Sequence, residues 1–261
     1  AVSARNRTRK RDFEIERFIW FDDPVELAAN PEIDVLVELI GNLLDKKPVA
    51  GLMGLGMRGT DGPLFNPARP AIQDLDALPF PDYDLIDLDA YQGRVTMTAF
   101  LPRERFTSLF TSRGCYYRCS YCHTNFGKKM RYRSVQNVID EMRYLIEERG
   151  VREFHVIDDI FNADPARAIA IFDEVVKRDW KVWFAFPNGL RADRMDEEFI
   201  AAAKAAGTYY WALAVETASP RLQKQVYKFN KLDKVFEAIE YCVAGGRVAR
   251  PAVTVPFVGS S

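Results

Sequence analysis

From Phe106 to Val258 the chain repeats one unit: a short apolar run, a polar tip, then a stretch with helical periodicity. The runs are Phe106–Phe110 at the end of a strand expected over 98–111, then Phe154–Ile157, Val182–Phe186, Tyr210–Val215 and Ala252–Val258. Between the first two, Ser134 caps a helix to Arg149 in which Val135, Val138, Ile139, Met142, Leu145 and Ile146 share a face, and Gly150 stops it. Helices follow over Pro165–Lys177, from the Asp196 cap to Ala206 before Gly207, and over Leu232–Val243 before Gly245-Gly246. Strands alternating with helices of this length need right-handed crossovers, and crossovers lay the strands parallel. The fold class is therefore α/β, and every polar tip falls at the same end of the sheet, where such folds collect their chemistry.

One tip carries metal-binding chemistry. After the first strand comes Ser112-Arg113-Gly114-Cys115-Tyr116-Tyr117-Arg118-Cys119-Ser120-Tyr121-Cys122-His123, which holds three of the four cysteines in the spacing C-x3-C-x2-C. Three thiolates leave a four-coordinate site one ligand short. His123 would close a structural zinc tetrahedron; an iron–sulfur cube would instead keep one iron open for an exogenous ligand. A disulfide framework is disfavoured by the odd number of clustered cysteines. Lys128, Lys129, Arg131 and Arg133 lie beside the loop, either as a patch for an anion or as a solvated loop.

The cysteine spacing, with Tyr121 just before the last cysteine and a strand leading in, resembles the signature of the radical SAM superfamily. The resemblance implies that Cys115, Cys119 and Cys122 ligate a [4Fe-4S] cluster, with S-adenosylmethionine (SAM) on the open iron. One-electron reduction by a donor such as a flavodoxin or ferredoxin then yields methionine and a 5′-deoxyadenosyl radical that attacks a small-molecule substrate. Other tips resemble the family as well. Ile157–Asn162 (IDDIFN) points to Asp158 and Asp159 for the SAM amino group, and Asn188–Asp193 (NGLRAD) points to Asn188 and Arg191 for ribose and carboxylate. Tyr210–Ser219 points to Glu216 for ribose, with Lys228 as a basic residue after that strand and Val255 of the fifth strand beside adenine. Ala212 and Ala214 stand where the family often has glycine. His155 and Cys242 are expected to be packed side chains.

Ahead of this half, Pro63, Pro67, Pro70, Pro79 and Pro81 mark an extended connector, because proline fixes φ and removes donors. Its continuation Asp74–Tyr91 (DLDALPFPDYDLIDLDAY) resembles the linker between a cobalamin-binding domain and the barrel in the B12-binding radical SAM subfamily. The region before it offers apolar runs at Phe18–Phe21 and Ile33–Ile40, a short helix from Val25, and glycines 51, 54, 56, 59 and 62. No phosphate-loop pattern follows those glycines, so Thr60-Asp61-Gly62-Pro63 is expected to turn a hairpin. About 50 residues are too few for a whole doubly wound cofactor domain, and neither His123 nor His155 sits in the Asp-x-His-x-x-Gly loop that ligates cobalt in cobalamin domains of the base-off, His-on kind.

The expected organisation is a small α/β remnant over 1–62, a Pro-rich linker over 63–95, and a partial (β/α) barrel over 96–261 whose sixth unit is missing. The sequence thus reads as a fragment. With 48% hydrophobic residues it can bury a full core, and a net charge of -1 gives no global attraction to nucleic acid or membrane. The basic stretch Arg5–Arg11 reads as a solvated terminus. No run is long enough to span a bilayer and no secretory leader is evident, so a reducing, cytoplasmic setting is expected.

Overall fold

The computed structural model describes residues 53, 56–59, 62–68, 70–85, 87–94, 97–98, 104–123, 125–244 and 250–254. The strands and helix expected within the first 50 residues lie outside these, as does Val255. The chain forms two compact units, residues 1–71 and 72–261, so the boundary falls inside the proline-marked segment.

In the first unit β1 (Gly56–Gly59) and β2 (Gly62–Phe65) pair antiparallel with Gly59 opposite Gly62. That register leaves a two-residue connection, Thr60-Asp61, itself outside the described residues. The glycine-rich stretch is thus spent on a tight hairpin, and Gly62 takes φ +136° within it.

The second unit opens with the rest of the connector, which is not simply extended. Asp82 Oδ1 accepts from Asp84 N at 3.0 Å, and Asp87 Oδ1 accepts from Asp89 N at 2.9 Å. Aspartates that bond their own backbone two residues on favour turns, and single 3-10 turns form at Tyr83–Leu85 and Leu88–Tyr91. Leu75, Tyr83 and Leu88 are buried, and the Tyr83 hydroxyl donates to Glu141 Oε1 at 2.7 Å. The segment is packed down by its apolar residues.

The main sheet runs β3 (Phe106–Leu109), β6 (Glu153–Val156), β7 (Trp183–Leu190), β8 (Thr208–Ala214), β9 (Arg250–Thr254), all parallel and in chain order. Its crossovers carry α1 (Val135–Arg149), α2 (Pro165–Lys177), α3 (Glu197–Ala205), and the pair α4 (Pro220–Gln225) and α5 (Leu232–Val243). The helix boundaries follow from local chemistry. Ser134, Asp164, Asp196 and Ser219 each accept a backbone N–H of the first turn, and Gly150 closes α1 at φ +64°. Gly207 is required for a second reason: a Cβ there would lie 2.2 Å from the Val182 carbonyl oxygen.

One sheet face packs on the helices through Phe154, Phe184, Phe186, Trp211 and Leu213. Phe172 of α2 sits at the centre, its ring 5.7 to 6.2 Å from those of Phe161, Phe184, Phe186 and Phe199. Such an aromatic cluster dominates core energetics. On the other face Ala185, Tyr209, Tyr210 and Ala212 form a smaller cluster. His155 is buried, bonded to Glu153 Oε1 at 2.7 Å, as expected for a packed histidine. The Tyr209 hydroxyl donates to the same oxygen.

Two details bear on the sheet's carboxyl end. Strand β7 does not stop at Phe186 but runs on through Pro187 to Leu190, with its register against β8 slipping between Phe186 and Leu190. Pro187 has no N–H for the ladder, so the strand bulges there and frees Asn188 and Gly189. The cysteine loop also does not leave β3 directly. A small antiparallel pair, β4 (Ser112–Arg113) with β5 (Arg131–Tyr132), clamps its two ends together.

Candidate active site

The loop between β4 and β5 is shaped by backbone bonds. Gly114 adopts φ +94°, where a Cβ would lie 2.3 Å from the Lys129 carbonyl oxygen, so only glycine lets the returning strand pass. Its N–H donates to Asp159 Oδ2 at 3.1 Å, and Cys115 N donates to the Gly127 carbonyl at 3.2 Å. A turn closes from Cys122 N to the Cys119 carbonyl, also 3.2 Å. Cys115 and Cys119 are half-buried and Cys122 is exposed. Burial pushes the Cys115 thiol up, while an N–H from Tyr117 and the nearby Lys128 pull it down.

The basic residues beside the loop are spent on structure. Lys128 Nζ donates to the Tyr117 carbonyl at 2.7 Å, and Lys129 Nζ to Gln73 Oε1 at 2.9 Å. Arg131 is buried on the carbonyls of Ile72 and Phe126, and Arg133 binds Glu141, Asn137 and the Phe110 carbonyl. Arg131 and Arg133 are thus neither an anion patch nor part of a solvated loop, because the irregular backbone they surround needs internal donors, while Lys129 stays exposed.

The tip after β6 divides its two acids. Asp158 is buried, accepting from Thr111 N, Thr111 Oγ1 and Ser112 Oγ, each at 2.6 Å. Burial pushes its carboxyl up, while those three donors and the Arg167 guanidinium favour the charged form. Asp158 therefore ties the β3–β4 corner and does not line the cleft described below. Asp159 does line it, with His123 Nε2 3.6 Å from its Oδ1.

On the next tip Asn188 Nδ2 donates to the carbonyls of Ile157 and Asp158 at 3.2 and 2.8 Å. Arg191 pairs with Asp193 through Nε and Nη2, donates Nη1 to the Lys228 carbonyl at 2.7 Å, and stacks 4.0 Å above the Tyr117 ring. Asn162, fully buried, exchanges two hydrogen bonds with the Arg191 backbone and locks the second tip to the third. After β8, Glu216 stands at φ +68°, a conformation uncommon for a residue with a Cβ. Lys228 Nζ meets its Oε1 at 3.2 Å. Tyr121 hydrogen-bonds to Glu216, and burial together with the Glu216 and Cys119 charges pushes its phenol up.

These groups share one cleft of about 220 Å³. Cys115, Cys119, Cys122, Tyr121, Asp159, Asn188, Arg191 and Glu216 all line it, with His123 and Lys228. Of the residues expected to touch cofactor, only Asp158 points elsewhere, and Val255 is not described. Sequence reasoning overlooked Asn162, Gln223, Asn230 and α4 itself. The Ser219-Pro220 pair, a capping residue followed by proline, was the available signal for that helix.

The donor set fits an iron–sulfur cluster: three soft thiols border one space, and a cube spreads such ligands over separate irons. Among the described residues, no three His, Cys, Asp or Glu side chains gather as one shared ion would need. Also among the described residues, no helix is long and apolar enough to cross a membrane.

The chain is 31% identical over 222 residues to an uncharacterised methyltransferase of Pyrococcus horikoshii, covering 80% of this chain and 46% of that protein. It is 30% identical over 234 residues to the cytidylyl-2-hydroxyethylphosphonate methyltransferase of Streptomyces wedmorensis, covering 88% and 40%. The fold superimposes on the radical S-adenosylmethionine methyltransferase TsrM of Kitasatospora setae, solved with cobalamin and a [4Fe-4S] cluster. That match has a TM-score of 0.60 at 21% identity and covers 84% of this chain and 43% of TsrM. The cobalamin-dependent S-adenosylmethionine radical enzyme OxsB gives a TM-score of 0.63 at 21% identity, covering 83% and 31%. This chain thus spans less than half the length of these relatives. Residues 109–258, more than half of it and the whole of the cysteine loop and strand tips, match the Radical SAM superfamily profile, and the chain belongs to that superfamily.

Proposed function

We propose that this chain binds a [4Fe-4S] cluster through Cys115, Cys119 and Cys122, holds SAM in the adjoining cleft, and starts radical chemistry on a small molecule. A cluster with SAM at its open iron supplies one-electron cleavage of the sulfonium to methionine and a 5′-deoxyadenosyl radical. The observation that carries the reading is the shared cleft: three thiols on one wall, and acids, an amide and cations from three successive strand tips on the others.

Asp159 and Glu216 offer carboxylate oxygens to an ammonium and to ribose hydroxyls. Asn188 and Arg191 offer donors, with Arg191 fixed by Asp193 and by the face of Tyr117. The exposed Cys122 leaves a route for an electron from a flavodoxin- or ferredoxin-like protein in a reducing compartment such as the cytoplasm. The finer reaction we assign is methyl transfer, supported by the two methyltransferase relatives. The 261 residues supply no histidine for cobalt: His123 faces Asp159 and His155 is buried against Glu153. We also propose the domain organisation: a cofactor-domain remnant over 1–62, a connector over 63–95 and a partial barrel over 96–261.

The test is anaerobic reconstitution with iron and sulfide. A brown protein with four irons per chain, releasing 5′-deoxyadenosine from SAM after dithionite reduction, is expected. A colourless protein that retains one tightly held zinc, or a cluster protein that leaves SAM intact, overturns the proposal.

A further inference from the structure

The segment between α4 and α5 touches three parts of the cleft's frame, the cysteine loop, Arg191 and Glu216, although little of it faces the cleft. The Val226 carbonyl accepts from Ser120 N at 3.0 Å, in the middle of the cysteine loop between Cys119 and Tyr121. The Lys228 and Phe229 carbonyls accept from Arg191, and the Lys228 ammonium meets Glu216. Tyr227 and Phe229 adopt φ +55° and +53° with their side chains more than half exposed. Their rings meet edge to face at 6.1 Å, and the backbone they share aims the Val226, Lys228 and Phe229 carbonyls inward.

Two buried amides impose this path. Gln223 Nε2 donates to the carbonyls of Val215 and Thr217 at 2.9 and 2.6 Å, and its Oε1 accepts from Asn230 N at 3.1 Å. Asn230 Nδ2 donates to the carbonyls of Ala214 and Val215 at 3.1 and 3.2 Å. The ends of the segment are thereby bolted to the backbone on either side of Glu216, and its middle reaches across to Ser120. Neither amide lines the cleft.

We infer that Gln223 and Asn230 are positioning residues that set the register of the cysteine loop against Glu216 and Arg191, and through it the affinity for SAM. The inference rests on the SAM reading above. It makes a mechanical claim that can be tested separately: loosening either amide should loosen the cysteine loop, which is tied to this segment through Ser120 N and the Val226 carbonyl.

The experiment uses Asn230→Asp and Gln223→Glu in the full chain. Each keeps the shape of the side chain but turns a donating nitrogen into a carboxylate oxygen facing backbone carbonyls. Amide exchange measured by mass spectrometry on the iron-free protein should rise about tenfold in the peptide spanning 116–122. After reconstitution, iron content should match the wild type while SAM binding weakens about tenfold, and the change in the reduced cluster's EPR signal on adding SAM should be diminished. Unchanged exchange in 116–122 in folded variants overturns the inference, as does wild-type SAM affinity. If both variants fail to fold, the amides serve the fold and not the site, which overturns it too. Faster exchange in the variants, in a protein whose wild type takes up no iron or SAM, would sink the function proposed above and leave the mechanical coupling standing.

Discussion

Asp158→Ala separates what the sequence motif implied for this residue from what the structure does with it. The carboxylate is fully enclosed and accepts three hydrogen bonds of 2.6 Å, with Arg167 donating to the same Thr111. Removing it strands the Thr111 N–H, which cannot rotate to a new acceptor, and takes away one of the two acids, with Asp164, whose charge favours the half-buried Arg167 guanidinium. Deleting one partner of a buried charged network costs about 3–5 kcal/mol. For a chain of this size that is roughly a 10 °C fall in Tm. Asp158→Asn, which keeps one acceptor oxygen and the shape, should lose roughly half as much. Asp159→Asn gives the contrast: its side chain borders the cleft, so the Tm should move by less than about 1 kcal/mol equivalent while SAM binding weakens. Thermal melts by circular dichroism and equilibrium dialysis of SAM against reconstituted, folded protein provide the two readings. The reasoning is refuted if Asp158→Ala melts with the wild type, or if folded Asp158→Asn loses SAM affinity as severely as Asp159→Asn.

Gly114→Ala should abolish cluster uptake while leaving the helical signal in place, because the new Cβ meets the Lys129 carbonyl at 2.3 Å and the left-handed φ adds strain; iron and sulfide analysis after reconstitution checks it, and a full complement of iron would contradict it. Tyr83→Phe removes the donor to Glu141 at the connector's anchor, with an expected loss of about 1–2 kcal/mol in denaturant unfolding and faster proteolysis across 72–94. Cys242, buried on α5 with its thiol pushed up to about 11, should resist iodoacetamide at pH 8 in the folded iron-free protein while the three loop cysteines react. Because that thiol's folded value lies above its unfolded one, its contribution to stability is intact at pH 8 and is lost as pH rises through 11, so alkaline unfolding should be delayed in Cys242→Ser relative to its own stability at pH 8.

Much of the framework was legible in residue order alone. The caps at Ser134 and Asp196 and the stop at Gly150 are local devices, and α1 and α2 begin and end where the sequence places them. The parallel sheet follows from strand and helix lengths through the crossover rule, and the C-x3-C-x2-C spacing alone marks the cysteine loop as the candidate site. What the sequence could not apportion was the work of like residues standing side by side. Asp158 and Asp159 are adjacent and chemically equal, yet alternation along an extended tip turns one toward Thr111 and the other toward the cleft. Lys128, Lys129, Arg131 and Arg133 looked available to an anion, but they bond the Tyr117, Phe126 and Ile72 carbonyls, Gln73 and Glu141. Gln223 and Asn230 carry no motif at all, and only the approach of the α4–α5 connection to β8 gives their amides partners. Local propensity and spacing determined which elements form and which loop holds sulfur. Which side chain faces the cleft and which braces its walls depends on contacts between segments distant in sequence, and those exist only once the chain has folded.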